Sequence, residues 1–242
     1  MEQTINSTFT ELAKLIAESQ ADELEQKQQL PMPRDSYIKQ KMTALIFEFE
    51  QENKKLLHYM EKARQILVEN INFLPLIEQE HHAKELLTAM IKLNDSIEIE
   101  QVITAGSWQN FLGFTNETIF WIYSLGYKFF EEKNYEDALS LFLMLTLLNP
   151  TVSDNWIALG FAQKNLSLET QALYSLSIAS MVNPNNPTSR YQSAEIYLHL
   201  NDFDKALIEL EALSKIINNQ KLDSLKPELE SMLNKAKNRQ SL

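Results

Sequence analysis

Glu78, His81 and His82, in "EQEHHAKE", come nearest in this chain to a catalytic or metal-ligating set. Spacings of three and four residues let Glu78 share a helix face with either histidine, as a helix does when it offers carboxylate and imidazole to one ion. A helical di-metal site also needs a second Glu-x-x-His and further carboxylates, and the sequence supplies none. What remains is a solvated polar helix face without a metal. His58 and His199 stand alone, and Glu131, Glu132, Glu136 and Asp137 fall at a turn, as helix-start charges rather than catalytic carboxylates. Four isolated glycines cannot build a phosphate loop, and neither G-x-S-x-G nor H-E-x-x-H occurs. The absence of cysteine removes disulfides, thiol catalysis and thiolate zinc sites. The residues point away from an enzyme, and no cofactor is expected.

The elements that would position these side chains are helical. Only 4 Gly and 7 Pro in 242 residues, with 44% hydrophobic content, imply an all-α chain with few turns. A formal net charge of -11 argues against nucleic-acid binding, which needs a cationic surface. The start of the chain lacks a basic segment followed by an apolar run, so no secretory signal is expected. The densest apolar stretch, Phe142 to Leu148, is far shorter than the ~20 residues that cross a bilayer. A soluble, cytoplasmic protein without membrane insertion is the expectation.

Along the chain, Thr8 and Glu11 resemble a capping box before apolar Phe9, Leu12, Leu15 and Ile16. "LPMPRDS" interrupts that helix, because proline cannot continue the hydrogen-bond ladder. A long helix comes next, from about Asp35 to near Phe73, with Met42, Leu45, Ile46 and Phe49 on one face. Another is predicted from Pro75 to Leu93. Their amphipathic stripes must be buried against the rest of the chain or a second copy.

From Ile119 the sequence repeats. Gly126, Gly160 and Ala194 lie 34 residues apart, as do Ala138, Ala172 and Ala206, and so do Pro150 and Pro184. The units are 119–152, 153–186 and 187–220. The period and pattern resemble the tetratricopeptide repeat (TPR), a helix pair that stacks into a superhelix. The small residues let paired helices approach closely, and the prolines separate units. A capping helix at about 223–240 covers the last repeat, with Pro227 in its first turn. Trp108, Trp121 and Trp156 read as core. The resulting division is an N-terminal helical region, 1–106, and a TPR domain, 107–242.

In this architecture positions 2, 5, 9, 12 and 13 of each repeat line a concave face. They are Phe120, Tyr123, Tyr127, Phe130 and Glu131 in the first; Asp154, Ile157, Phe161, Lys164 and Asn165 in the second; and Thr188, Tyr191, Glu195, Leu198 and His199 in the third. Most are apolar or aromatic, and Lys164 and Asn165 alone are too few to clamp a charged peptide tail. The face suits an extended apolar peptide. The competing reading is that the N-terminal region or a second subunit fills it.

"SWQNFLGFTNETIFWIYSLGYKFFEEKNYEDALSLFLMLTLLNP" resembles the start of the class II chaperones of bacterial type III secretion, the LcrH/SycD-like proteins. The likeness lies in a short helix ending in "LGF", Thr115 as a cap, three repeats and a terminal helix, over roughly Ser107 to Leu233. It implies a virulence-associated chaperone that keeps a hydrophobic translocator soluble in the bacterial cytoplasm. Its partner-binding groove would comprise Phe120, Tyr123, Tyr127, Phe130, Ile157, Phe161, Lys164, Asn165, Tyr191, Glu195 and Leu198. The N-terminal region is longer than the family's and would serve as a lid, a secretion platform or a homodimer interface. The alternative is a TPR scaffold that joins partners without a secreted client.

Overall fold

The computed structural model describes residues 13–14, 17–29, 31–73, 76–94 and 99–240, and two compact units divide the chain, Met1–His58 and Tyr59–Leu242. The predicted N-terminal capping box and its Phe9, Leu12, Leu15 and Ile16 lie outside the described residues, as do the side chains of Leu45, Ile46 and Phe49. In the first unit residues 17–26 are helical, and Ala13, Ala17 and Ala21, four apart, are fully buried. Arg34, on the far side of "LPMP", ties back to that segment, its Nη2 donating to Asp22 Oδ1 at 2.6 Å.

Helix α1 (Arg34–Asn70) ends in a 3-10 turn at Ile71–Phe73, and α2 (Leu76–Asn94) begins directly after Pro75. These match the two long helices read from the sequence. Compactness divides the chain at His58 and Tyr59, whereas the repeat pattern divides it at 106 and 107. Residues 59–106 explain the difference. Ala63, Ile66 and Leu67 of α1 and Leu86 and Ala89 of α2 are buried in one core with the first repeat. Lys62 reaches that repeat as well, its Nζ 2.8 Å from Asp137 and 3.1 Å from Glu136. The amphipathic stripe on this part of the chain therefore has a partner within the chain.

Two short helices, α3 (Ile99–Ala105) and α4 (Trp108–Leu112), lead into the repeats. Ser107 caps α4, and Gly113 ends it in the left-handed region at φ 87°, a conformation that favours glycine. The repeats are the pairs α5 (Asn116–Glu131) with α6 (Tyr135–Leu148), α7 (Ser153–Asn165) with α8 (Glu169–Val182), and α9 (Pro187–His199) with α10 (Phe203–Gln220). Among the described residues every regular element is helical. Helix α11 (Lys226–Gln240) comes after a 3-10 turn and buries Leu229, Met232 and Ala236 against α10, where the capping helix was expected. No described helix is long and apolar enough to cross a membrane.

The 34-residue register reappears in the packing. Ala138, Ala172 and Ala206 are all fully buried. Opposite them, a Cβ on Gly126 would lie 2.7 Å from the Phe142 ring, and one on Gly160 would lie 2.9 Å from Leu176. Between the helices of each pair the chain turns through a left-handed residue, Lys133, Ser167 or Asn201, again 34 apart. At each turn the next amide reaches back over the helix end: Asn134 N to Phe129 O, Leu168 N to Gln163 O and Asp202 N to Tyr197 O, all at 2.9 Å. This Schellman pattern satisfies carbonyls that the helix leaves open.

Candidate peptide-binding groove

The eleven residues expected to bind a partner lie on α5, α7 and α9, the first helices of the three repeats. Phe120 is 72% exposed and Tyr127 52%, large apolar surfaces left open among the described residues. Tyr123 and Phe130 are half-buried on the same helix and pack against the core. The Tyr123 ring centroid lies 5.7 Å from that of Phe142, and its hydroxyl pKa is raised by burial first and then by Asp154 and Tyr127. Phe130 meets Phe161 of the second repeat edge to face, centroids 6.3 Å apart, an arrangement in which the positive ring edge faces the negative π surface.

The next junction has the same register and different chemistry. Phe130 and Phe161 hold positions 12 and 9 of successive repeats, and Lys164 and Glu195 hold those positions one repeat later. Lys164 forms an ion pair with Glu195 and donates to Gln192 Oε1 at 3.0 Å. Asn165 turns back on its own helix, donating to the Phe161 carbonyl at 2.9 Å. Tyr191 is tied to the capping helix: its hydroxyl donates to Glu228 at 2.5 Å, which pushes its pKa to about 12.

Ile157 and Leu198 stand apart from this group. They are 7% and 5% exposed, so their repeat positions place them on the right helices but leave almost no surface for a partner. Glu131, Asp154 and His199 are exposed and Thr188 half-buried. The three tryptophans are half-buried against the core, and Trp156 Nε1 donates to the Pro150 carbonyl at 2.9 Å.

"EQEHHAKE" requires a correction. His82 is only 5% exposed, so this segment is not wholly a solvated face. Its Nδ1 lies 2.6 Å from Thr118 Oγ1, and its ring stacks on Trp121 with centroids 4.9 Å apart. Burial holds its pKa below the usual histidine range, and His81 adds to that. Nearby, Glu85 accepts from the Thr115 backbone N–H at 3.0 Å, and His81 Nε2 lies 3.1 Å from Thr115 Oγ1 and 3.2 Å from Glu85. These side chains dock α2 on the positive end of α5, where a carboxylate is favoured. The periodic pattern of α2 marks His82 as polar, and nothing local reveals that α5 covers it.

No family model and no curated protein matches the chain. Solved structures do. A type III secretion complex from Aeromonas hydrophila superposes with a TM-score of 0.56 at 20% identity, covering 60% of this chain and 97% of that one. PcrH, of Pseudomonas aeruginosa, in complex with the chaperone-binding region of PopD, gives 0.51 at 26% identity, covering 53% and 97%. The type III secretion chaperone SycD from Yersinia enterocolitica, in complex with a peptide of the translocator YopD, gives 0.50 at 23%, covering 53% and 98%. About half of this chain has the fold of a type III secretion translocator chaperone. Nearly the whole of PcrH and of SycD is matched. These similar proteins are chaperones and not enzymes, and they are the kind of protein that the residues themselves resembled.

Proposed function

We propose that this protein is a nonenzymatic type III secretion chaperone, acting in the bacterial cytoplasm. It holds an extended apolar segment of a translocator against α5, α7 and α9 and keeps that client soluble until secretion. The observation that carries this reading is the aromatic row Phe120, Tyr123, Tyr127, Phe130 and Phe161, exposed at its start and continuous through the Phe130–Phe161 contact. Support comes from PcrH and SycD, solved with the chaperone-binding region of PopD and with a YopD peptide on the same fold. Burying a side chain the size of Phe or Tyr contributes about 1.5–3 kcal/mol, so a few such contacts suffice for a stable complex. Lys164 and Glu195 neutralise one another at the junction of the second and third repeats.

Co-expression with a hydrophobic translocator of the same secretion system tests the reading. The client is expected in the soluble fraction only when the chaperone is present. A client equally soluble alone, yet bound, would favour a scaffold. For homodimer formation through the N-terminal helices, the solution mass of a chain lacking residues 1–58 should fall to that of a monomer if those residues carry the interface, and an unchanged dimer mass would exclude them.

A further inference from the structure

A second concavity adjoins the aromatic row and has a different chemistry. It encloses about 550 Å³ between α2, which supplies Glu78, His81 and His82, and α5, which supplies Glu117, Phe120, Trp121 and Ser124. Phe120 belongs both to the row and to this pocket, so a chain lying along the row reaches the pocket without a break. The walls are aromatic and the fixed charges are carboxylates. Among the described residues no lysine or arginine lines the pocket. His82 is buried, and desolvation disfavours its cation, so it brings a neutral ring. His81 faces Thr115 and Glu85. Glu117 is kept charged because its own backbone N–H, and then Thr115, hydrogen-bond its carboxylate and hold its pKa below the usual range.

Aromatic rings with carboxylates beside them attract a cation on both counts, through the quadrupole of the ring and through charge. An apolar side chain would gain from the rings and leave the acids without a partner. We infer that this pocket receives a lysine or arginine side chain from the same client segment whose apolar residues lie on the aromatic row. The inference rests on the groove reading above and adds a charge requirement to it. It also gives α2, which lies outside the repeats, a part in client selection: Glu78 sits on α2, and Glu85 and His82 fix that helix to the start of α5.

Selection of a randomised linear peptide library on the full chain tests this, with each selected peptide then titrated beside a copy whose basic residue is replaced by glutamine. Wild type should enrich peptides carrying Lys or Arg next to an apolar run and prefer the basic copy by about three- to tenfold, the range of one cation–π and carboxylate contact. Glu78→Gln with Glu117→Gln should bring that ratio down to the about two- to threefold that the rings alone supply, while apolar enrichment persists. Ser124→Lys, which plants a cation in the pocket and leaves both acids in place, should do the same if the double variant fails to fold. Phe161→Ala, distant from the pocket, should weaken both copies equally. An apolar preference without a basic one, or a basic preference that these pocket variants leave undiminished, overturns the inference and leaves the groove reading standing. A wild-type chain that enriches no apolar peptide overturns both.

Discussion

In the first repeat Phe142 packs under Gly126, Lys133 makes the turn, and Phe130 reaches Phe161 in the next unit. In the third repeat Leu210 stands where Phe142 does, Ala194 replaces the glycine, Asn201 makes the turn, and Glu195 pairs with Lys164 from the unit before. One backbone register thus accepts two solutions at each place. The first uses larger aromatic side chains and pays with a glycine; the third uses smaller ones and keeps a better helix former. The ends differ too, since the end of α1 and α2 share the core of the first repeat, while α11 closes the third. The aromatic surface is concentrated in the repeat that carries the most additional support.

Truncation should separate the two ends most sharply. Removing 1–58 is expected to leave a folded repeat unit, whereas removing 1–106 strips Ala63, Ile66, Leu67, Leu86 and Ala89 from the first-repeat core. Their combined burial is worth more than about 5 kcal/mol, comparable with the whole stability of a domain. Circular dichroism and thermal melting should therefore show cooperative unfolding for the first truncation and its loss for the second. Equal melting curves would mean that the first repeat does not depend on those helices.

The glycine contrast comes next in size. Gly126→Ala drives a methyl into the Phe142 ring and should destabilise by about 1–3 kcal/mol, less up to about 1 kcal/mol of helix propensity. Adding Phe142→Leu recreates the third-repeat pairing and should recover part of the loss. A melting temperature unchanged by Gly126→Ala would show that the ring moves aside freely.

Acid should loosen the first end before the last. His82 titrates below the ordinary histidine range in the folded protein, while in the unfolded chain it protonates at about 6.5. The unfolded state therefore binds more protons as pH falls, so this contribution is complete above about 6.5 and declines below it. His81 opposes a charge at His82, and Glu85, Glu78 and Glu117 favour one, burial being the largest influence. Melting wild type and His82→Gln from neutral pH down to about 5 should show a flatter pH slope in the variant. Parallel slopes would place the acid sensitivity elsewhere.

The turns give the smallest difference. A left-handed lysine is less comfortable than a left-handed asparagine, whose short polar side chain tolerates that conformation. Lys133→Gly should raise stability by up to about 1 kcal/mol, and Asn201→Gly by less, as read from denaturant midpoints. The reverse order would contradict the register equivalence of the two turns.

The helix pairs and the capping helix were legible because a period of 34 with small residues in phase reports packing that recurs locally. The two long helices before them were also legible from proline and apolar spacing. What lay beyond reach was tertiary. The stripe on α1 and α2 announces that something is covered, but only the fold reveals that Ala63, Ile66 and Leu67 of α1 and Leu86 and Ala89 of α2 share the core of the first repeat. His82 looks solvated in α2 and is buried by Thr118 and Trp121 of α5. Repeat position also places a side chain on a helix without stating its depth. Ile157 and Leu198 are buried, while Phe120 and Tyr127 are exposed.

The central claim is that the aromatic row on the first helices holds the client. Its most direct test is the affinity of an extended apolar peptide, taken from a translocator that co-expression shows to bind, for wild type, for Tyr127→Ala with Phe161→Ala, and for Tyr174→Ala. Tyr174 is an exposed tyrosine on α8, a second helix outside the row, and serves as the control. The double variant is expected to lose on the order of a hundredfold in affinity, about 3 kcal/mol, with Tyr174→Ala unchanged. Undiminished binding by a folded double variant, or an equal loss in Tyr174→Ala, would contradict the account.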